Sequence, residues 1–300
     1  MFGTLKQFRL TDIFSEGDFQ IKKNEKFSLT HYATSTIPNS ICFVENVNFA
    51  LKANRNDNIS VIITTPELKD KIRPHKGLII SLNPKRLFFE IHNRLAEEYT
   101  FKNKEIQIAT SAEIHPTAIL KNGVIVGERT KIGAYSVIEE GSVIGNDVLI
   151  ENHVNVGARG MHNTKIDGRF VSVKDLGNVV IGDRCEILSH AVIQKPYFYH
   201  STSIGEETRI SVFGNIAHGC SIGKRCLVAG HTVVAGYCTV GNDVWIGPNS
   251  TISHMIQIKD RVRIMLGSVV IEDVGESGSV SGNFAYNHIK NFKLFTRNKK

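Results

Sequence analysis

An aliphatic side chain recurs every six residues through most of the chain beyond residue 113. Ile114, Leu120, Val126, Ile132, Ile138, Ile144, Ile150 and Val156 open the series. It resumes at Ile181, Ile187 and Ile193, and then runs unbroken from Ile204 and Ile210 through Ile216 and Val234 to Ile252, Ile264 and Val270. A strand repeats every ~2 residues and a helix every ~3.6, and neither holds one phase over such a length. A small side chain lies two residues before the aliphatic one, as at Thr130, Ser136, Thr208, Cys220, Thr232 and Ser250. The residue after it is often glycine (Gly127, Gly145, Gly205, Gly223, Gly241), which suits a corner between short strands. Alternating large and small inward positions predict a mainly β chain, a parallel β-helix with three hexads per coil, so that residues 18 apart stack.

Two segments leave the repeat, residues 158–180 and the stretch QKPYFYHST at 194–202. Excursions from a solenoid gather on its surface and often carry binding, and the longer one is expected to do so here. Residues 1–105 contain no hexads before the repeat and read as a small α/β domain. VIITT (61–65) and LIISL (78–82) look like buried strands, and residues 84–99 have helical apolar spacing with Pro84 at the first position. The solenoid is expected over 106–273, with a short tail at 274–300.

The formal charge is +7, which favours anionic partners such as phosphorylated cofactors and nucleotide sugars. The basic residues are scattered and no nucleic-acid motif is present, so no nucleic acid is expected. No apolar run approaches the ~18 residues of a membrane span, and the N-terminus does not read as a signal peptide. A cytoplasmic protein without membrane insertion follows. Of the five cysteines, Cys185, Cys220, Cys226 and Cys238 hold the small inward position and read as packed interior, not as metal ligands.

The hexads resemble those of the left-handed hexapeptide-repeat acyltransferase superfamily, and that resemblance implies the left hand and a homotrimer. SICFVENVNFALKA and NPKRLFFEIHNRLA resemble the N-terminal domain of the UDP-3-O-acylglucosamine N-acyltransferase family of lipid A synthesis. That family's F-x-x-N-P-K-Y motif falls on Phe43, Asn46 and Phe49, with Val47 where the motif has proline. The resemblance implies that Phe43 and Phe49 hold the base of a nucleotide between their rings. The residues alone also allow two core phenylalanines.

His218 lies two residues after Ile216; adding 18 gives Gly236, and adding 18 again gives His254. These three share one column at one corner. Acyl transfer from a thioester to an amine needs a base for the amine proton and a donor for the developing oxyanion. A histidine one coil from a glycine, whose N–H no side chain shields, meets both needs. The resemblance implies the same roles, because the family's I-A-H and A-G motifs match Ile216-Ala217-His218 and Ala235-Gly236. The family's second histidine falls at Met255, leaving His254 as a supporting residue, and His231 is a rival base.

Other departures bear on the substrate. Ser211 and Val212 replace an Asp-Asn pair, QKPYFYHST replaces an Asp-Arg-Gly segment, and little follows Val270. The expected reaction is N-acylation of a UDP- or dTDP-linked amino sugar by acyl-CoA, without a metal, in surface-glycan synthesis. A lipid A-type reaction using acyl carrier protein is the alternative. Two others stand further off: a non-enzymatic β-helix, and a γ-class carbonic anhydrase, which pairs His218 with His254 but has Lys259 where a third histidine belongs.

Overall fold

The computed structural model describes residues 5–99, 101, 103–282 and 289. The chain forms two compact units, the first comprising Met1–Thr100, Met161–Gly177 and Tyr197–Tyr199, the second the remainder.

The first unit is built on a five-stranded sheet. A one-turn helix α1 (Leu10–Ile13) precedes β1 (Phe19–Lys23), β2 (Leu29–Thr30) and β3 (Ser40–Val44). Helix α2 (Val47–Arg55), β4 (Ile59–Thr64), β5 (Gly77–Ser81) and α3 (Pro84–Glu98) follow. The order is β1-β5-β4-β3-β2, with only β1 antiparallel to its neighbour. Alternation along β3 sends Ile41 and Phe43 to the face covered by α3, and Cys42 and Val44 to the face covered by α2. Asn83 caps α3 by accepting the Arg86 N–H at 2.9 Å, with Pro84 in the first turn, where its missing N–H costs nothing.

The middles of the two excursions, Met161–Gly177 and Tyr197–Tyr199, belong to this first unit, and their ends stay in the second. Residues 163–172 form a hairpin of Asn163–Ile166 and Arg169–Ser172. Ile166, Val173, Leu176, Phe198 and Tyr199 are buried there, the reason these segments fold with the first unit. The backbone is tied to α3: Asn93 Nδ2 donates to the Ser172 carbonyl at 3.1 Å, and His92 Nε2 lies 2.8 Å from that of Lys174. Burial lowers His92 and His31 to about 4 each, so both imidazoles are neutral at physiological pH.

The second unit is the solenoid. Its two-residue strands end on the aliphatic positions and stack into parallel sheets of nine, eight and eight strands among the described residues. Asn215 pairs with Val233, and Val233 with Thr251, the 18-residue register read from the hexads. The small inward residues do more than fill space: Thr208 Oγ1 donates to the Gly223 carbonyl at 2.8 Å and Ser136 Oγ to that of Glu151 at 2.6 Å. Cys220, Cys226 and Cys238 act alike, their thiols 3.1, 3.1 and 2.9 Å from carbonyls of the next coil. All five cysteines are free and buried, and burial pushes the Cys42 thiol up to about 12 and that of Cys185 to about 11. The last rungs lie beyond Val270: Val274 bridges to Ile258, and Ser279–Val280 pairs with Arg263–Ile264. No helix among the described residues is long and apolar enough to cross a membrane.

The corners differ from the expectation. The glycine after each aliphatic residue is there for space: a Cβ on Gly223 would lie 2.3 Å from the Gly241 carbonyl oxygen. The left-handed backbone falls two residues later, mostly on larger side chains such as Arg129 (φ 54°), His153 (φ 58°) and Tyr237 (φ 59°). These residues stack into columns. One column alternates Arg129, Asp147, Arg184, Glu207, Arg225, Asp243 and Arg261, with Arg129–Asp147 at 2.6 Å and Arg225–Asp243 at 2.7 Å. A second stacks the rings of Tyr135, His153, His190, Phe213 and His231, their centroids 5.2, 5.0, 5.0 and 4.8 Å apart.

Two glycine variants separate the causes. Gly223→Ala forces neighbouring coils apart and should cost about 1–3 kcal/mol, the range for overpacking. Gly267 has φ 65° and open space around its Cβ position, so Gly267→Ala should cost only the left-handed penalty of ~1–2 kcal/mol. Urea unfolding of both, with a smaller loss for Gly223→Ala, would refute the spacing argument. The charged column gives a pH signature. The Arg225 hydrogen bond holds the Asp243 carboxyl below the usual 3.8. Its stabilisation is therefore complete above that value and is lost as pH falls through the lowered one. Asp243→Asn should be less stable than the parent near neutrality, and the gap should close in strong acid. A gap that persists there would contradict the ion pair as its source.

Candidate functional site

The corner following Asn215–Ile216, Val233–Val234 and Thr251–Ile252 carries the third column. Parallel pairing brings His218, Gly236 and His254 there on successive coils, about 4.8 Å apart. His218 is half-buried, Gly236 buried and His254 exposed. A Cβ on Gly236 would stand 2.7 Å from His218 Cε1 and 2.9 Å from Nε2, so only glycine lets the imidazole lie on this backbone.

The backbone polar groups here differ from those at five other corners. At the equivalent positions, the N–H groups of Glu128, Ala134, Asn146, Lys224 and Asn242 donate to an Asn or Asp side chain of the next coil. In this column the next-coil residues are Gly236 and His254 in place of Asn or Asp. Among the described residues no acceptor takes the Gly236 N–H. A buried backbone donor is costly to leave unmet, and such donors serve developing negative charge well.

Two residues join the column that the sequence reading did not single out. His200 stands 18 residues before His218, and the pairing of Ser203 with Ser221 stacks the two coils. The same arithmetic run downwards finds it; the break at 194–202 hid it. Tyr237 sets its ring edge-on to His218, centroids 5.1 Å apart at 81°. Nothing in the hexad pattern marks Tyr237, because outward residues at left-handed positions vary freely. His231, the rival base, follows a different wall, after Leu227–Val228, and is exposed in the ring column. Met255 is exposed. Among the described residues no group of three or more His, Cys, Asp and Glu is placed to hold a metal ion.

The nucleotide positions lie in the first unit. Asn46 caps α2, its side chain accepting the Phe49 N–H at 3.0 Å. Phe49 is exposed beside Lys52, whose Nζ is 5.6 Å from the ring centroid. Phe43 is half-buried on the α3 face of the sheet, its ring 4.9 Å from that of Phe88. The helix bearing Phe49 covers the opposite face, so Phe43 has the packing of a core residue and Phe49 has not.

Residues 123–158 match the family described as bacterial transferase hexapeptide (six repeats). The chain is 27% identical over 191 residues to an acyl-[acyl-carrier-protein]–UDP-N-acetylglucosamine O-acyltransferase of Campylobacter concisus, covering 58% of this chain and 71% of that protein. It is 30% identical over 150 residues to a probable mitochondrial UDP-3-O-acylglucosamine N-acyltransferase 2 of Arabidopsis thaliana, covering 49% of each. Among solved structures, the UDP-N-acetylglucosamine acyltransferase of Francisella novicida aligns with a TM-score of 0.49 at 22% identity, over 63% of this chain and 71% of that one. The chain thus carries the bacterial transferase hexapeptide repeat over residues 123–158 and is similar to proteins named as acyltransferases.

Proposed function

We propose that the chain transfers an acyl group from acyl-CoA to the amine of a UDP- or dTDP-linked amino sugar. The observation that carries this reading is the His218 imidazole lying on Gly236 where no side chain fits, beside a backbone N–H without an acceptor among the described residues. The amine nitrogen attacks the thioester carbonyl carbon, and its proton passes to His218 as the carbon–nitrogen bond forms. The carbonyl oxygen becomes an oxyanion that the Gly236 N–H receives. Collapse breaks the carbon–sulfur bond, and the leaving thiolate takes a proton as CoA thiol. No protein nucleophile takes part, in keeping with cysteines that are all buried. The protein works as a homotrimer, with Phe49 and Asn46 on the nucleotide side and His254 as a supporting group at the rim of the column.

The Campylobacter relative's name favours a second reading, transfer from acyl carrier protein to a sugar hydroxyl or amine. One panel separates the two: UDP- and dTDP-amino sugars and their hydroxyl counterparts, crossed with short acyl-CoAs and acyl carrier proteins, read by mass spectrometry. Amide product from CoA donors alone supports the first reading, and product from carrier protein alone replaces it with the second.

On the active pair, His218→Ala should lower kcat by roughly 10²–10⁴-fold, the worth of positioned acid–base catalysis. A near-normal rate would remove His218 from the mechanism. Phe49→Ala should raise KM for the nucleotide sugar by the loss of about 1–3 kcal/mol of stacking and leave KM for the donor unchanged. An equal rise for both substrates would remove Phe49 from nucleotide binding.

A further inference from the structure

The three rings at this corner rest on two glycines. The His218 ring lies on Gly236, and beside it the rings of Tyr237 and His200 converge on Gly219. A Cβ on Gly219 would stand 2.7 Å from Tyr237 Cε1 and 2.9 Å from His200 Nε2. The Tyr237 ring therefore touches both histidines, edge-on to His218 at 5.1 Å and tilted 33° to His200 at 5.6 Å.

The backbone holds this arrangement from three sides. Tyr237 is left-handed at φ 59° and its N–H donates to the His218 carbonyl at 2.9 Å. A bulky residue adopts that conformation at a cost of about 1–2 kcal/mol, which its surroundings must offset. The Gly219 N–H donates to Thr202 Oγ1 at 2.8 Å, and that hydroxyl donates to the Gln194 carbonyl at 2.6 Å. The segment bearing His200 is thereby tied to the turn bearing His218.

A base accepts a proton along a lone pair in the plane of its ring, so the plane of the imidazole sets the direction of transfer. Gly236 supplies the floor under that plane but nothing that stops the ring from turning. The aromatic edge of Tyr237 does, because it is wedged against Gly219 and His200. We propose that Tyr237, backed by His200, is a positioning residue that fixes the plane of the His218 imidazole over Gly236. This rests on the reading of His218 as the base. The geometry assigns the work to the ring of Tyr237, whose contacts reach both histidines.

The test uses the full-length chain with Tyr237→Phe, Tyr237→Leu and His200→Gln. The first readout needs no substrate: proton and nitrogen resonances of histidine-labelled protein, with the His218 signals assigned from His218→Gln. Tyr237→Leu should move the His218 ring signals and its titration midpoint, and Tyr237→Phe should leave them near those of the parent. The second readout is kinetic. Tyr237→Leu should lose about 10²-fold in kcat, the scale of a misplaced reacting group, with both KM values little changed. The acid limb of its pH profile should move with the His218 midpoint, Tyr237→Phe should recover most of the rate, and His200→Gln should fall between. His218 signals unmoved by Tyr237→Leu would overturn the proposal, as would a Phe variant as slow as the Leu variant, which would assign the work to the hydroxyl. If Tyr237→Leu does not fold, His200→Gln bears the test, and unchanged His218 signals in it are equally fatal. An active His218→Ala would instead sink the catalytic reading, leaving the spectra to decide the positioning alone.

Discussion

Backbone hydrogen bonds between coils, in parallel register at 18 residues, are the constraint on which the second unit depends. They satisfy the peptide groups of strands only two residues long, and they set every coil directly upon the next. A residue's position in the hexad thus becomes its position in space. Side chains far apart in sequence form columns: one alternates arginine with acid, one stacks aromatic and imidazole rings, and one joins His200, His218, Gly236 and His254.

The same close stacking shapes the third column. Coils this near leave no room for a Cβ wherever backbone meets backbone or ring, hence the glycines at 223 and 236. At five other corners an Asn or Asp of the next coil takes the corresponding N–H. Gly236 admits the imidazole, and one coil on His254 stands where an Asn or Asp would take the Gly236 N–H. Two positions in the column, 236 and 254, thus set an imidazole beside a backbone donor within one coil spacing, the pair the proposed acyl transfer would use.

The first unit obeys different rules. Its sheet is covered on both faces by helices, and its core takes side chains from segments that interrupt the solenoid: Ile166, Val173 and Phe198. Buried imidazoles at His31 and His92 stay neutral, because charging them inside that core would forfeit hydration.

The hexads by themselves determined the parallel β-helix, its register and the meeting of His218 with Gly236, because a fixed period leaves one way to stack. Pro84 and the apolar spacing after it likewise determined α3, a local matter of capping and periodicity. Where periodicity stopped, sequence reasoning stopped with it. The break at 194–202 concealed His200, and the four-residue step from Val270 to Val274 hid the rungs beyond it, although Val274 and Val280 resume the six-residue spacing. Corner glycines were read as conformational when they answer to space, a quantity visible only once neighbouring coils are in place. Which core the two excursions join, which face of the sheet Phe43 takes, and that Tyr237 lies edge-on to His218 were decided by tertiary packing alone, because each depends on contacts between residues whose spacing follows no repeat.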